Sequence, residues 1–229
     1  MTAGTGKVRV VDTDPTTPLL RSAFLTAAQS AADLLADPAV VAAWTAPSAL
    51  TDFTVGGLAA HLGSQVLLVR RSLAEPAPTT TDVVPLLGHY ARVTWIGADL
   101  DENTNVLIRR TGEELAATGP AELTAMLASA LAELRAALPT TPDDRLASPP
   151  AGPWALRLDD YLVTRMMEIA VHSDDLAHSV GIATPPLPPA VLDPVFALLC
   201  ALAQRRHGST ALLRALSRAE RAPGIISAL

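Results

Sequence analysis

The stretch that most restricts the fold is WALRLDDYLVTRMMEIAVHSDDLAHSVG, residues 154–181. Its apolar residues recur at helical spacing, which predicts one helix of about seven turns. At about 100° per residue, Tyr161, Arg165, Glu168, His172 and Asp175 share a sector narrower than a third of a turn. Leu162, Met166, Ile169, Val171 and Leu176 flank that sector, so the helix is expected to pack on several sides. A polar stripe on an enclosed helix is costly unless each group finds a partner. The fold must therefore set polar groups opposite it.

The rest of the composition favours helices. Apolar residues make up 49% of the 229, yet aromatics only 3%, so the apolar content is Ala, Leu and Val. That suits closely packed helices better than sheet. The net charge of −6 comes with dispersed arginines, unlike a basic nucleic-acid surface. The longest uncharged window, 53–69, contains His61, Ser64 and Gln65, and Pro188 and Pro189 divide the late apolar stretch. Neither resembles a membrane span. The N-terminus lacks a basic segment followed by an apolar run, so no signal peptide is expected. A single cysteine, Cys200, excludes an intramolecular disulfide framework and fits a cytoplasmic protein.

In chain order, residues 1–18 read as a flexible lead-in. Thr17 is an expected N-cap with Pro18 at the first helical position, opening a helix over 19–35. Asp37-Pro38 starts a short helical turn to Trp44, and 45–53 is a loop. Thr54 caps a helix over 55–72 in which Gly56, Gly57, Ala59, Ala60 and Gly63 surround His61; such small residues allow a backbone or ligand to approach closely. After a linker over 74–82, a long helical region covers 83–117, with a break expected near Asn103 and Asn105. Gly119-Pro120 begins a further helix through Leu138, and a Pro-rich loop, 139–153, leads into the polar-striped helix. With four main helices before residue 181 and no convincing strand, the expected class is all-α, an up-down bundle over 19–181. Residues 182–229 add a short helical C-terminal extension, with helices over 190–206 and 209–218.

Glu168 and His172, four apart, leave one helix face a turn apart and can reach one metal ion. His61, a lone histidine on a small-residue helix, is the best third ligand. Three such ligands leave an open position, the arrangement of a catalytic zinc site. Asp175 can accept the second imidazole N–H of His172 and fix its tautomer. The spacing alone also fits a plain Glu–His hydrogen bond, a core role for His61 and an Arg165–Glu168 pair. His89 and His178 receive only a surface or core assignment, and Cys200 reads as a packed thiol.

WTAPSALTDFTVGGLAAHL, residues 44–62, followed by EIAVHSDDLA, residues 168–177, resembles the mycothiol-dependent maleylpyruvate isomerase family, one of the DinB-like metal-binding four-helix bundles. The matching positions are Trp44, Pro47-Ser48, Phe53-Thr54-Val55, His61-Leu62, Glu168, His172 and Asp175-Leu176. Residues 205–216 also resemble a stretch in shorter members. Phe53 stands where the family often has Trp, and Ser173-Asp174 where it often has Gly-Trp. The isomerase itself carries a larger C-terminal domain with an essential arginine.

The resemblance implies Zn²⁺, or another divalent metal, held by His61, Glu168 and His172. It also implies mycothiol bound as a thiolate at the open position, which makes a protein cysteine unnecessary. Arg165 and Tyr161 are expected to hold a carboxylate or sugar hydroxyl of the bound molecules. The implied activity is S-transfer to a small electrophile. The alternatives are thiol-dependent cis–trans isomerisation, thiol-independent metal hydrolysis, and a non-catalytic binding protein on the same bundle. The expected partners are a small thiol and a small electrophile, without nucleic acid or membrane; a homodimer is compatible with this reading.

Overall fold

Helical apolar spacing becomes, in the computed structural model, a ring of four long helices around one core; the structure describes residues 16–97 and 101–229. The ring consists of α1 (Thr16–Leu35), α3 (Val55–Ala74), α6 (Pro120–Ala137) and α7 (Leu158–Val180). Neighbours around it are α1 with α7, α7 with α3, α3 with α6, and α6 with α1. Phe24, Ala27 and Ala31 of α1, Leu58, Leu62 and Val66 of α3, Leu123 and Leu127 of α6, and Leu162, Met166 and Ile169 of α7 are all solvent-inaccessible. The all-α bundle expected from composition is the fold observed.

Side-chain pairs give the helix directions. Arg21 at the start of α1 pairs with Asp159 at the start of α7, so these two run the same way. Arg70 near the end of α3 meets Glu133 near the end of α6, so these are also parallel. Arg21 also donates to the Leu138 carbonyl, just past α6, which makes α1 and α6 antiparallel. The order is thus up, down, down, up. Arg21 is the clasp at the lower end, because it also donates to the Thr141 and Pro142 carbonyls and to Asp143.

Shorter elements complete the wall. They are α2 (Pro38–Ala42), α4 (Leu86–Tyr90), α5 (Asn103–Ala116), and strands β1 (Leu146–Ala147) and β2 (Leu156–Arg157). Helix α5 lies against α3; α8 (Pro189–His207) packs on α1 and α7, and α9 (Ser209–Ser217) follows it. Among the described residues, no single helix is long and apolar enough to cross a membrane.

Five expectations need correction. Cys200, expected as a packed thiol, is exposed on α8. The polar-striped helix starts at Leu158, not Trp154, because Leu156–Arg157 pair antiparallel with Leu146–Ala147 and Ala155 bridges to Val83. Backbone groups engaged in a ladder cannot also serve a helix. A short sheet therefore exists where no strand was expected. Helix α1 already includes Thr16, so Thr17 is not its cap. The helical region expected over 83–117, with its break near Asn103, is two helices, α4 and α5, and the chain already leaves the helix over residues 91–97. β-branched Val93, Thr94 and Ile96, followed by Gly97, lower helix propensity in that gap. The lead-in, up to residue 15, lies outside the described residues.

Candidate metal centre

The first turn of α3 places His61, and the loop before it serves that turn's free N–H groups. A helix start leaves four backbone donors without intrahelical partners. Here Val55 N donates to the Ala46 carbonyl at 2.8 Å and Gly56 N to the Trp44 carbonyl at 2.7 Å. Gly57 N donates to Thr54 Oγ1 at 2.9 Å, as the N-cap reading expects. Glu113 of α5 closes the arrangement, accepting from Thr54 N at 2.8 Å and from the Thr54 hydroxyl. Trp44 Nε1 is tied to the Ala116 carbonyl at 3.1 Å. The motif from Trp44 to Gly57 is therefore a docking device for one helix end.

Across the bundle, α7 brings Glu168 and His172 to His61. One ligand-type atom from each of the three lies within 4.8 Å of the others. His172 Nε2 is 3.2 Å and His61 Nε2 3.9 Å from the same oxygen, Glu168 Oε2. Two donor atoms bound tetrahedrally at zinc distances are about 3.4 Å apart, so the set has the chemistry and spread of a divalent-metal site. The three side chains are 17%, 14% and 17% exposed, which leaves an approach for a small molecule. His172 Nδ1 lies 3.0 Å from Asp175 Oδ2, so the carboxylate takes that ring N–H and leaves Nε2 facing Glu168.

The charges reinforce one another. Burial works against the Glu168 carboxylate, but its interactions with His172 and His61 outweigh it and hold its pKa well below the ordinary value. Burial also works against a charged His172, yet Asp175 and Glu168 hold its pKa up at about 9. Desolvation by burial instead lowers His61. Without metal, the centre is a carboxylate between an imidazolium and a neutral imidazole.

A second set of polar contacts orients His61. Arg165 donates to Gln65 Oε1 at 2.6 Å and to Thr164 Oγ1 at 3.0 Å. With its oxygen engaged, Gln65 turns its amide nitrogen toward His61 Nε2, 3.5 Å away. That orientation matches an unprotonated Nε2. Gln65 escaped the sequence reading, although it sits one turn after His61; its partner, Arg165, is 100 residues distant.

The other striped residue, Tyr161, is 1% exposed and stacks under Arg165, whose guanidinium carbon is 5.2 Å from the ring centroid. It borders a cleft formed by Arg71, Ser72, Pro76 and Pro149. The stripe thus divides: Glu168, His172 and Asp175 meet at the centre, Arg165 reaches it through Gln65, and Tyr161 supports Arg165. His178 contributes nothing to the centre.

Helix α4 is pinned to the segment that leads into α7, which sequence did not reveal. Val84 N donates to the Ala155 carbonyl at 2.9 Å, the Asp160 carboxylate faces the Leu86 N–H, and Trp154 Nε1 donates to His89 Nδ1 at 3.0 Å. His89 is buried, and desolvation lowers its pKa to about 4. Tyr90 packs edge-to-face on His89 with ring centroids 5.0 Å apart. A groove of about 660 Å³ lies elsewhere, between α1, Arg135 and the Ile182, Pro185 and Pro186 segment, and contains none of the three centre residues.

Fold and centre together define a helical bundle carrying a cluster of two histidines and one carboxylate with the donor set to hold a metal ion. The sequence matches the family described as mycothiol maleylpyruvate isomerase N-terminal domain over residues 24–177, and the chain belongs to that family. The family points to mycothiol-related, maleylpyruvate isomerase-like chemistry and to metal binding. Comparison with curated proteins and with solved structures found no match.

Proposed function

We propose that the chain is a divalent-metal enzyme, with zinc the favoured ion, that uses a small thiol, mycothiol by family, to attack a small electrophile. The observation that supports this most is the convergence of His61, Glu168 and His172 within 4.8 Å. When bound there, zinc supplies the Lewis acidity that keeps a thiol deprotonated near neutral pH. The chain's own residues do the rest. His61, Glu168 and His172 hold the ion; Asp175 orients His172; Gln65, itself held by Arg165, orients His61. Arg165 has no carboxylate within ion-pair distance among the described residues and keeps positive charge beside the centre, which favours anionic ligands. The thiol gives up its proton, its sulfur bonds to the β-carbon of an activated C=C as that π bond breaks, and a proton returns to the α-carbon, giving the S-adduct. Expulsion of the thiol after bond rotation would instead give cis–trans isomerisation, the second reading, favoured by the family description.

The test is incubation of the zinc-loaded protein with mycothiol and a panel of α,β-unsaturated and other small electrophiles, followed by mass spectrometry. Thiol consumption with adduct formation supports transfer, and isomerised product with thiol recovered supports the second reading. Turnover without thiol would point to metal-dependent hydrolysis, and no turnover at all to a binding protein.

A further inference from the structure

Tyr161 is 1% exposed, and its hydroxyl makes no hydrogen bond among the described residues. The Tyr90 hydroxyl is sealed in; the Tyr161 hydroxyl is not. What little of Tyr161 stays open is therefore its polar end, and Tyr161 lines a cleft of about 100 Å³. A buried ring that leaves its hydroxyl free at a cleft is an unfilled hydrogen-bonding position. The cleft lies between the end of α3 with the segment after it and the loop after β1. Arg145 ties these two sides together, donating to the Ser72 carbonyl at 2.7 Å and to the Glu75 carbonyl at 2.6 Å. Pro76 and Pro149, one on each side, stiffen the walls.

The polar groups of the cleft say what it takes. Arg71 and Glu75 both line it and stand 3.7 Å apart, so their charges cancel and neither an anion nor a cation is selected. The Ser72 and Ser148 hydroxyls also line it, and neither makes a hydrogen bond among the described residues. Hydroxyls beside a balanced ion pair suit a neutral ligand whose own hydroxyls both donate and accept. The volume equals that of about three waters at roughly 30 Å³ each, enough for a three-carbon fragment. We infer that this cleft binds a small neutral polyol, or the hydroxyl-bearing edge of a sugar, with Tyr161 Oη as its central hydrogen-bonding group. The site lies about two turns of α7 from Glu168, roughly 10 Å along the helix, and does not depend on the metal. It bears on the centre only through Tyr161, on whose ring Arg165 rests at 5.2 Å.

The test uses the full chain, metal-free, with 3-fluorotyrosine at its two tyrosines, Tyr90 and Tyr161. Two fluorine resonances result, and Tyr161→Phe identifies its own by loss. Glycerol is expected to move the Tyr161 resonance saturably at millimolar concentration, as a molecule this small allows, and to leave the Tyr90 resonance in place. Saturation transfer from the unlabelled protein to the glycerol C–H protons is the second readout. Glucose that moves the Tyr161 resonance extends the site to a sugar edge, and glucose without effect confines it to free polyols. Acetate and ethylammonium at matched ionic strength should move neither resonance. Ser148→Leu, which fills the cleft, should weaken glycerol about tenfold or more with the melting temperature unchanged. The inference is overturned by a Tyr161 resonance that stays in place, which means the cleft holds water only, or that drifts in step with Tyr90. A response to acetate as strong as that to glycerol also overturns it, as does a Ser148→Leu chain that binds glycerol like the wild type. Zinc uptake is measured separately, so failure here leaves the metal reading standing, and failure of zinc uptake leaves this one.

Discussion

His172 is the residue whose environment makes the sharpest statement. Its proton is shared between two carboxylates and is held to about pH 9, so metal must compete with that proton across the neutral range. Zinc affinity is therefore expected to rise about tenfold per pH unit from pH 7 toward 9 and then flatten. Competition against a chromophoric chelator measures it, and a flat profile would show that His172 is not a ligand. Asp175→Asn removes one of the two carboxylates and the tautomer lock, and is expected to weaken zinc about 10- to 100-fold. Glu168, His172 and Asp175 were legible in sequence because helical periodicity puts them on one face. Gln65 was only half legible: its turn of offset from His61 is local, but its meaning depends on Arg165. The packing of His89 was not legible, since it depends on Trp154, and on the Val83–Ala155 bridge beside it, which no local pattern encodes.

Among the elements, α3 carries the tightest constraint. A Cβ at Gly112 would stand 2.9 Å from the Gly57 carbonyl oxygen, so α5 crosses α3 at backbone contact. Gly112→Ala must push the helices apart, at an expected cost of about 1–3 kcal/mol by denaturant unfolding, and should lower zinc affinity by moving His61. Glu113→Ala leaves Thr54 N without its acceptor and is expected to cost about 1–3 kcal/mol. If either variant keeps full stability, the Trp44-to-Gly57 motif does not work as a docking device. The striped helix ends as read, at Gly181 in the left-handed conformation, with its N–H on the Ala177 and His178 carbonyls. Its start was misjudged because Trp154, Ala155 and Leu156 continue the apolar spacing while the backbone of Ala155 and Leu156 serves strand pairing. Local periodicity cannot distinguish those uses.

At the scale of the whole molecule, the buried titratable groups define a pH window for the metal-free fold. His89 is lowered from 6.5 to about 4, so the unfolded chain binds the extra proton between those values and stability falls by up to about 3 kcal/mol as pH drops through them. Glu168, held low, likewise contributes stability above the ordinary carboxylate pKa that is lost on acidification. His172, raised to about 9, contributes stability that is complete below 6.5 and declines as pH rises toward 9. Thermal melts across pH are thus expected to fall away on both sides of neutrality, and His89→Phe should flatten the acid limb. The bundle class was legible at this scale from Ala- and Leu-rich helical spacing. The parallel pairing of α1 with α7 was not, because it is set by Arg21 gathering Asp159, Asp143 and the Thr141 carbonyl from remote parts of the chain. Whether the ring of helices holds one divalent ion, as proposed, is decided by elemental analysis after zinc loading and gel filtration. One zinc per chain in the wild type, reduced at least tenfold in both His61→Ala and His172→Ala proteins that remain folded, is the expected result; stoichiometric zinc surviving both substitutions, or none bound by the wild type, would contradict it.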